Sequence, residues 1–151
     1  MPDKFAKLLA TFFFVGDIPV APGSAASIVG VLIYFCLHAQ VAAYIVLTGI
    51  ITLVGFNVCG QVERQFKQHD PSFIVIDEVA GVLIAFFLLP VKWPVILTAF
   101  FLFRAFDMFK LYPVNKFDEK EGSVGIMLDD LVAGLYTNLT MHVAIRLAGV
   151  V

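Results

Sequence analysis

Charge is what this sequence has least of. Asp, Glu, Lys and Arg make up only 15% of its 151 residues, whereas 60% are apolar and the mean hydropathy is +0.93. A chain so apolar lies outside the usual composition of soluble domains and reads as an integral membrane protein. The ten basic residues are scattered and the net charge is -2, so no continuous basic face forms and nucleic acid is excluded as a partner. Cysteine is scarce as well. Cys36 and Cys59 stand singly in apolar runs, with no Cys-x-x-Cys and no Cys/His cluster, which sets aside a disulfide framework or a thiolate metal site. The length suits one domain over 1–151.

What is present is a series of apolar runs separated by breakers. Residues 3–15 hold about a dozen apolar positions behind Lys4 and Lys7, fewer than the roughly 20 that span a bilayer. With no small-residue cleavage site after it, this stretch is expected to stay as a short interfacial or re-entrant helix. Gly16, Pro19, Pro22 and Gly23 then break the chain, and Ser24 is the expected N-cap of a first span over 24–39. Further spans are predicted at 41–60, 73–89, 93–109 and 124–147, with polar loops at 61–72 and 110–123. The expected fold is an all-α integral membrane bundle of about five membrane helices plus the N-terminal helix. With the N-terminus in the cytoplasm, Lys4, Lys7, Arg64, Lys67, Lys110, Lys116 and Lys120 face inward and only Lys92 and Arg146 outward, as the positive-inside rule requires.

The few charges inside the spans are concentrated at one end. Asp77 and Glu78 begin the third span, Arg104 and Asp107 end the fourth, and Asp129 and Asp130 begin the fifth. The layout brings all of them to the cytoplasmic leaflet. At a bilayer centre each would cost roughly 2.5–3.5 kcal/mol, and Arg104 with the neighbouring Lys110 cannot neutralise five acids. A cation, protons or water access must do the rest. Carboxylates without imidazole or thiolate favour a hard divalent ion, magnesium or calcium over zinc, which makes Asp77, Glu78, Asp129 and Asp130 candidate metal ligands and Asp107 a further catalytic carboxylate. Arg104 shares a helix face with Asp107, and its planar fork can hold two phosphate oxygens. The loop at Gly23 and Ser24, entering a helix N-terminus, suits a phosphate too. His69, in the loop before the third span, is a candidate substrate contact, whereas His38 and His142 fall at or near the opposite end. Asp77 to Gly81 and Asp130 to Gly134 both read D-x-V-A-G, so each Gly lies one turn deeper on its Asp's face, where small residues let helices approach. Intramembrane acids also mark ion pathways, so a small ion- or proton-coupled transporter is the alternative, one that would place acids near the midplane or on both sides.

Four segments resemble the phosphatidylglycerophosphatase A family, in the family's order: P-G-S-A-A-S at 22–27, H-D-P-S-F-I-V-I-D-E-V-A-G at 69–81, F-R-A-F-D-M-F-K at 103–110 and G-I-M-L-D-D-L-V-A-G at 125–134. The resemblance implies a multi-pass, magnesium-dependent lipid phosphatase of the bacterial inner membrane that converts phosphatidylglycerophosphate to phosphatidylglycerol. It implies site roles for Asp77, Glu78, Arg104, Asp107, Lys110, Asp129 and Asp130, and for Pro22, Gly23 and Ser27 in the loop. Ser24-Ala25-Ala26 departs from the usual Thr and further Gly, and Leu111-Tyr112 intervenes before Pro113 where Pro is expected directly after Lys110. Competing chemistries lack their residues: no His-Cys precedes the Cys59 to Arg64 spacing as a cysteine phosphatase needs, and the D-G-x-x-A-R of a CDP-alcohol phosphotransferase is absent.

Overall fold

Apolar residues at helical spacing fill nearly every segment, and in a computed structural model, which describes residues 3–109 and 122–149, the described residues form helices and no strand. The elements are α1 (Asp3–Ala10), a 3-10 turn at Val15–Asp17, α2 (Pro22–Leu37), α3 (Val41–Phe66), α4 (Ile76–Phe86), α5 (Trp93–Phe109) and α6 (Ser123–Leu147). The all-α expectation holds. Lys110 and the loop around Lys116 and Lys120 lie outside the described residues.

The boundaries differ from those expected, each for a local reason. The first helix ends at Ala10 rather than 15, because Phe12, Phe13 and Phe14 take left-handed backbone angles, and the Thr11 hydroxyl accepts the Phe14 N–H at 3.2 Å. The second starts at Pro22, not after Ser24. Proline at the first helical position has no N–H to satisfy and a φ already helical, and Ala21 before it turns the chain with a φ of 49°. The third runs past 60 to Phe66 and stops where Lys67 goes left-handed. The fourth is only 11 residues long, a rise of about 16 Å.

That short α4 is the centre of the fold. It packs against α2, α3, α5 and α6, and nine of its 11 residues are buried, as expected of a helix apolar on every side. Its early end is held by side chains from its neighbours. Tyr44 donates to the Leu83 carbonyl at 2.6 Å, Tyr34 to that of Leu89 at 2.9 Å, and Asn138 to those of Ala85 and Phe87 at 3.1 and 2.8 Å. His142 lies 3.2 Å from the Phe87 carbonyl, which gives it a structural part at the end away from the acids. Irregular backbone is tolerated among apolar surroundings only when its polar groups are bonded in this way.

Of the five expected spans, α3 alone among the described helices is both long and apolar enough to cross a bilayer by itself; α2 is apolar but shorter. α6 has the length, at 25 residues, but carries Asp129, Asp130, Asn138, His142 and Arg146 along it.

Candidate active site

The site begins with two glycines. A Cβ on Gly134 would overlap the Gly81 carbonyl oxygen and lie 3.0 Å from its carbon, and one on Gly81 would lie 2.7 Å from the Asp130 carbonyl oxygen. The backbones of α4 and α6 therefore touch, as the repeated D-x-V-A-G pattern led one to expect. One turn nearer the helix starts, that contact brings Asp77, Glu78 and Asp130 together: each offers a carboxylate oxygen within 4.8 Å of the others. Asp77 and Asp130 are 6% and 3% exposed. Asp77 and Glu78 also sit in the first turn of α4, where the helix dipole favours negative charge.

α2 and α5 complete the wall. A Cβ on the buried Gly23 would overlap Glu78 Oε1 and stand 3.5 Å from Arg104 Nη1, so the first turn of α2 can approach only without a side chain. Pro22 has no N–H, which leaves the N–H groups of Gly23 and Ser24 as the first-turn donors, with no side-chain cap on them. Ser27 is buried one turn deeper and donates to the Gly23 carbonyl at 2.9 Å, holding the turn rather than facing outward from it. Arg104 Nη1 lies 2.7 Å from Asp107 Oδ2, an ion pair by distance. Yet none of its N–H bonds is aligned on an acceptor, and the buried Asp77 Oδ1 and Glu78 Oε2 likewise have no hydrogen-bond partner. Asp107 is near enough to Glu78 and Asp130 to act on both electrostatically.

Two carboxyl oxygens and a guanidinium nitrogen, buried without hydrogen-bond partners, are costly unless something else binds there. The donor set consists of carboxylates without imidazole or thiolate, which fits a hard divalent ion on the acidic side. The Arg104 fork and the α2 N–H groups fit an anion on the other.

The remaining expected residues stand apart from this trio. Asp129 is buried and its Oδ1 accepts the Asp130 N–H at 2.9 Å. His69 Nδ1 lies 2.9 Å from Glu63 Oε1. Glu63 itself escaped the sequence reading, being assigned to a polar loop. It is 7% exposed on α3, and its other oxygen accepts the Gly122 N–H at 2.6 Å. The signal was there: buried Ile51, Gly55, Cys59 and Glu63 follow one another at four-residue spacing, so extending the helix past 60 turns Glu63 inward.

This convergence accords with comparison to known proteins. The family model described as Phosphatidylglycerophosphatase A matches residues 8–145. The chain belongs to the phosphatidylglycerophosphatase A family. A protein of Haemophilus influenzae named Phosphatidylglycerophosphatase A is 38% identical over 135 residues, covering 85% of this chain and 82% of that one. Its namesake in Escherichia coli is 35% identical over 133 residues, covering 85% and 76%. A Bacteroides thetaiotaomicron protein named "Putative phosphatidylinositol-3-phosphatase" is 36% identical over 153 residues, covering 95% of each. No solved structure matches. With the family comes the enzyme class, phosphoric monoester hydrolase.

Proposed function

We propose that this chain hydrolyses phosphatidylglycerophosphate to phosphatidylglycerol in a magnesium-dependent reaction at the cytoplasmic face of the bacterial inner membrane. The observation that carries the reading is the adjacency of the Asp77, Glu78 and Asp130 oxygens to an Arg104 Nη1 whose N–H groups have no acceptor. Asp77, Glu78 and Asp130 would hold the ion, with Asp129 next to them in sequence. Bound there, Mg2+ would lower the pKa of a ligated water and neutralise phosphoryl charge. The chain's own groups supply the rest. Arg104 and the Gly23 and Ser24 N–H groups orient the phosphate, Asp107 steadies the guanidinium, and Lys110 adds a second positive charge from the adjoining segment. A water oxygen forms the new P–O bond as the bond to the glycerol oxygen breaks, and that oxygen leaves with a proton.

A multi-pass membrane location is supported by the surface. Leu135, Leu139, Val143 and Leu147 on α6, and Ile45, Val46, Ile50 and Leu53 on α3, are all exposed. Apolar faces on that scale suit lipid better than water. The basic ends gather together: Lys7 of α1 lies over the Phe66 ring at the end of α3 and the Phe73 ring before α4, which favours a single cytoplasmic end. A transporter is less well served, since the acids meet at the starts of α4 and α6 and not at mid-length.

The test is phosphate release by the purified chain from phosphatidylglycerophosphate, phosphatidic acid, phosphatidylinositol 3-phosphate and a soluble phosphomonoester, with Mg2+ or with EDTA. Fastest release from phosphatidylglycerophosphate, abolished by EDTA, is expected. Equal rates on all four would remove the headgroup assignment, and undiminished release in EDTA would remove the metal.

A further inference from the structure

α4 and α6 touch through Gly81 and Gly134, one turn deeper than Asp77 and Asp130. Two helices in contact at one point can pivot about it. The carboxyl-bearing residues stand about 6 Å along the axis from that contact, so a splay of only about 10° would move them by about 1 Å. A metal or phosphoryl site has to be held within about 0.5 Å. The starts of both helices therefore need a tie, and neither α4 nor α6 has a side-chain cap of its own.

The end of α3 supplies one to each. Glu63 is buried, and its Oε2 accepts the Gly122 N–H at 2.6 Å, directly ahead of α6. Its Oε1 lies 2.9 Å from His69 Nδ1 and accepts the Asp70 N–H at 3.3 Å, in the segment that leads into α4. Gly60, one turn back on α3, donates its N–H to Ser123 Oγ at 2.6 Å, and a Cβ there would lie 2.9 Å from the Ser123 main-chain nitrogen. α6 is thus fixed at Ser123 and at Gly134, on either side of Asp130. The start of α4 has a further tie, the Val75 N–H to the Ala10 carbonyl at 2.9 Å, so α6 is the helix that Glu63 most restrains. The carboxylate also brings negative charge to the start of α6, whose first turn has no acid of its own.

We propose that Glu63 is a positioning residue for the acidic trio: by tying both helix starts to α3 it sets how far apart the Asp77 and Asp130 carboxylates stand, and with that the affinity for the ion. The inference rests on the metal-dependent phosphatase reading above. Glu63 acts through main chain, and none of these bonds involves Arg104 or the first turn of α2, so its loss leaves the phosphate contacts in place.

Mn2+ binding to the full chain in detergent, followed by its paramagnetic signal, tests this alongside the kinetics. In Glu63→Ala the Mn2+ dissociation constant and the Mg2+ concentration for half-maximal rate are expected to rise about tenfold, as loss of a partner that supports metal ligands does, while KM for the lipid hardly changes. Glu63→Gln should restore the affinity, because an amide keeps an oxygen for the Gly122 N–H and can donate to His69 Nδ1 in its other tautomer. Gly60→Ala leaves every carboxylate in place and gains helix propensity, yet pushes a methyl group into the Ser123 main chain. It should weaken Mn2+ binding in the same way, and it decides alone should Glu63→Ala not fold. A purely structural role would lower the melting temperature without moving the affinity of the folded chain. Parental affinity in Glu63→Ala and Gly60→Ala, a Glu63→Gln variant as weak as the alanine one, or a rise in KM matching the loss would overturn the proposal. Asp130→Asn separates the two readings. If it too binds Mn2+ like the parent, the metal reading fails and this inference with it; if it weakens binding while the Glu63 and Gly60 variants do not, this inference alone fails.

Discussion

Glu63 Oε2 accepts the N–H of Gly122, 59 residues further along the chain, at 2.6 Å. Its Oε1 lies 2.9 Å from His69 Nδ1 and accepts the Asp70 N–H at 3.3 Å. One buried carboxylate thereby joins the end of α3, the loop into α4 and the start of α6, the segments that set the heights of Asp77 and Asp130. Removing it takes the acceptor from three donors that water can partly reach, at about 0.5–1.5 kcal/mol for each bond. Glu63→Ala is expected to lower the melting temperature in detergent by several degrees, and Glu63→Gln by less. An alanine variant that melts with the parent would show that these bonds contribute nothing.

Arg104→Lys keeps the positive charge and gives up the fork. Turnover on phosphatidylglycerophosphate is expected to fall by roughly 100–1,000-fold, as loss of one oriented donor to developing charge implies, while the Mg2+ concentration for half-maximal rate moves little. A variant with full turnover would place the phosphate elsewhere.

Asp77→Asn, Glu78→Gln and Asp130→Asn each remove a charged oxygen from the trio. Losing a supporting partner of a metal ligand costs about 10–100-fold in affinity, and losing a ligand should cost at least as much. Titration with Mn2+, followed by its paramagnetic signal, measures this without turnover. Parental affinity in all three would dissociate the trio from the ion.

Gly134→Ala pushes a methyl group into the Gly81 backbone, which cannot move aside as a flexible side chain can. Overpacking of this kind costs about 1–3 kcal/mol. Gly49→Ala on α3 is the contrast, since a Cβ there meets nothing within 4 Å and Gly to Ala in a helix gains about 0.5–1 kcal/mol. Thermal unfolding should move in opposite directions, and a common direction would refute the packing account.

Single-turnover hydrolysis in isotope-labelled water decides the nucleophile. With the carboxylates engaged as ligands, the label is expected in the released phosphate. Label recovered in an Asp side chain would point to a covalent acyl-phosphate instead.

Much of the site was legible because its residues break the composition around them. Asp77, Glu78, Arg104, Asp107 and Asp130 are conspicuous in apolar helices, and the repeated D-x-V-A-G supplied the contact that joins two of them. The boundaries were less legible. Nothing about Ala21, Leu88 or Phe12 to Phe14 as residue types announces a left-handed backbone, and those angles decide where α1 and α4 stop and α2 starts. Glu63 was hidden by the polar company of Gln61, Arg64 and Gln68, which reads as loop.

If the carboxylates hold an ion as proposed, the touching backbones of Gly81 and Gly134 also bear on its size. Helices already in main-chain contact cannot be drawn closer, and close packing around α4 resists their separation. The spacing of Asp77 and Asp130 is thus governed by the main chain, not by rotamers alone. Magnesium requires oxygens at about 2.0–2.1 Å and calcium at about 2.3–2.6 Å, with more of them. For such an ion a fixed base beneath the carboxylates would act as a gauge of radius, and widening it by a single methyl group would shift preference toward the larger ion.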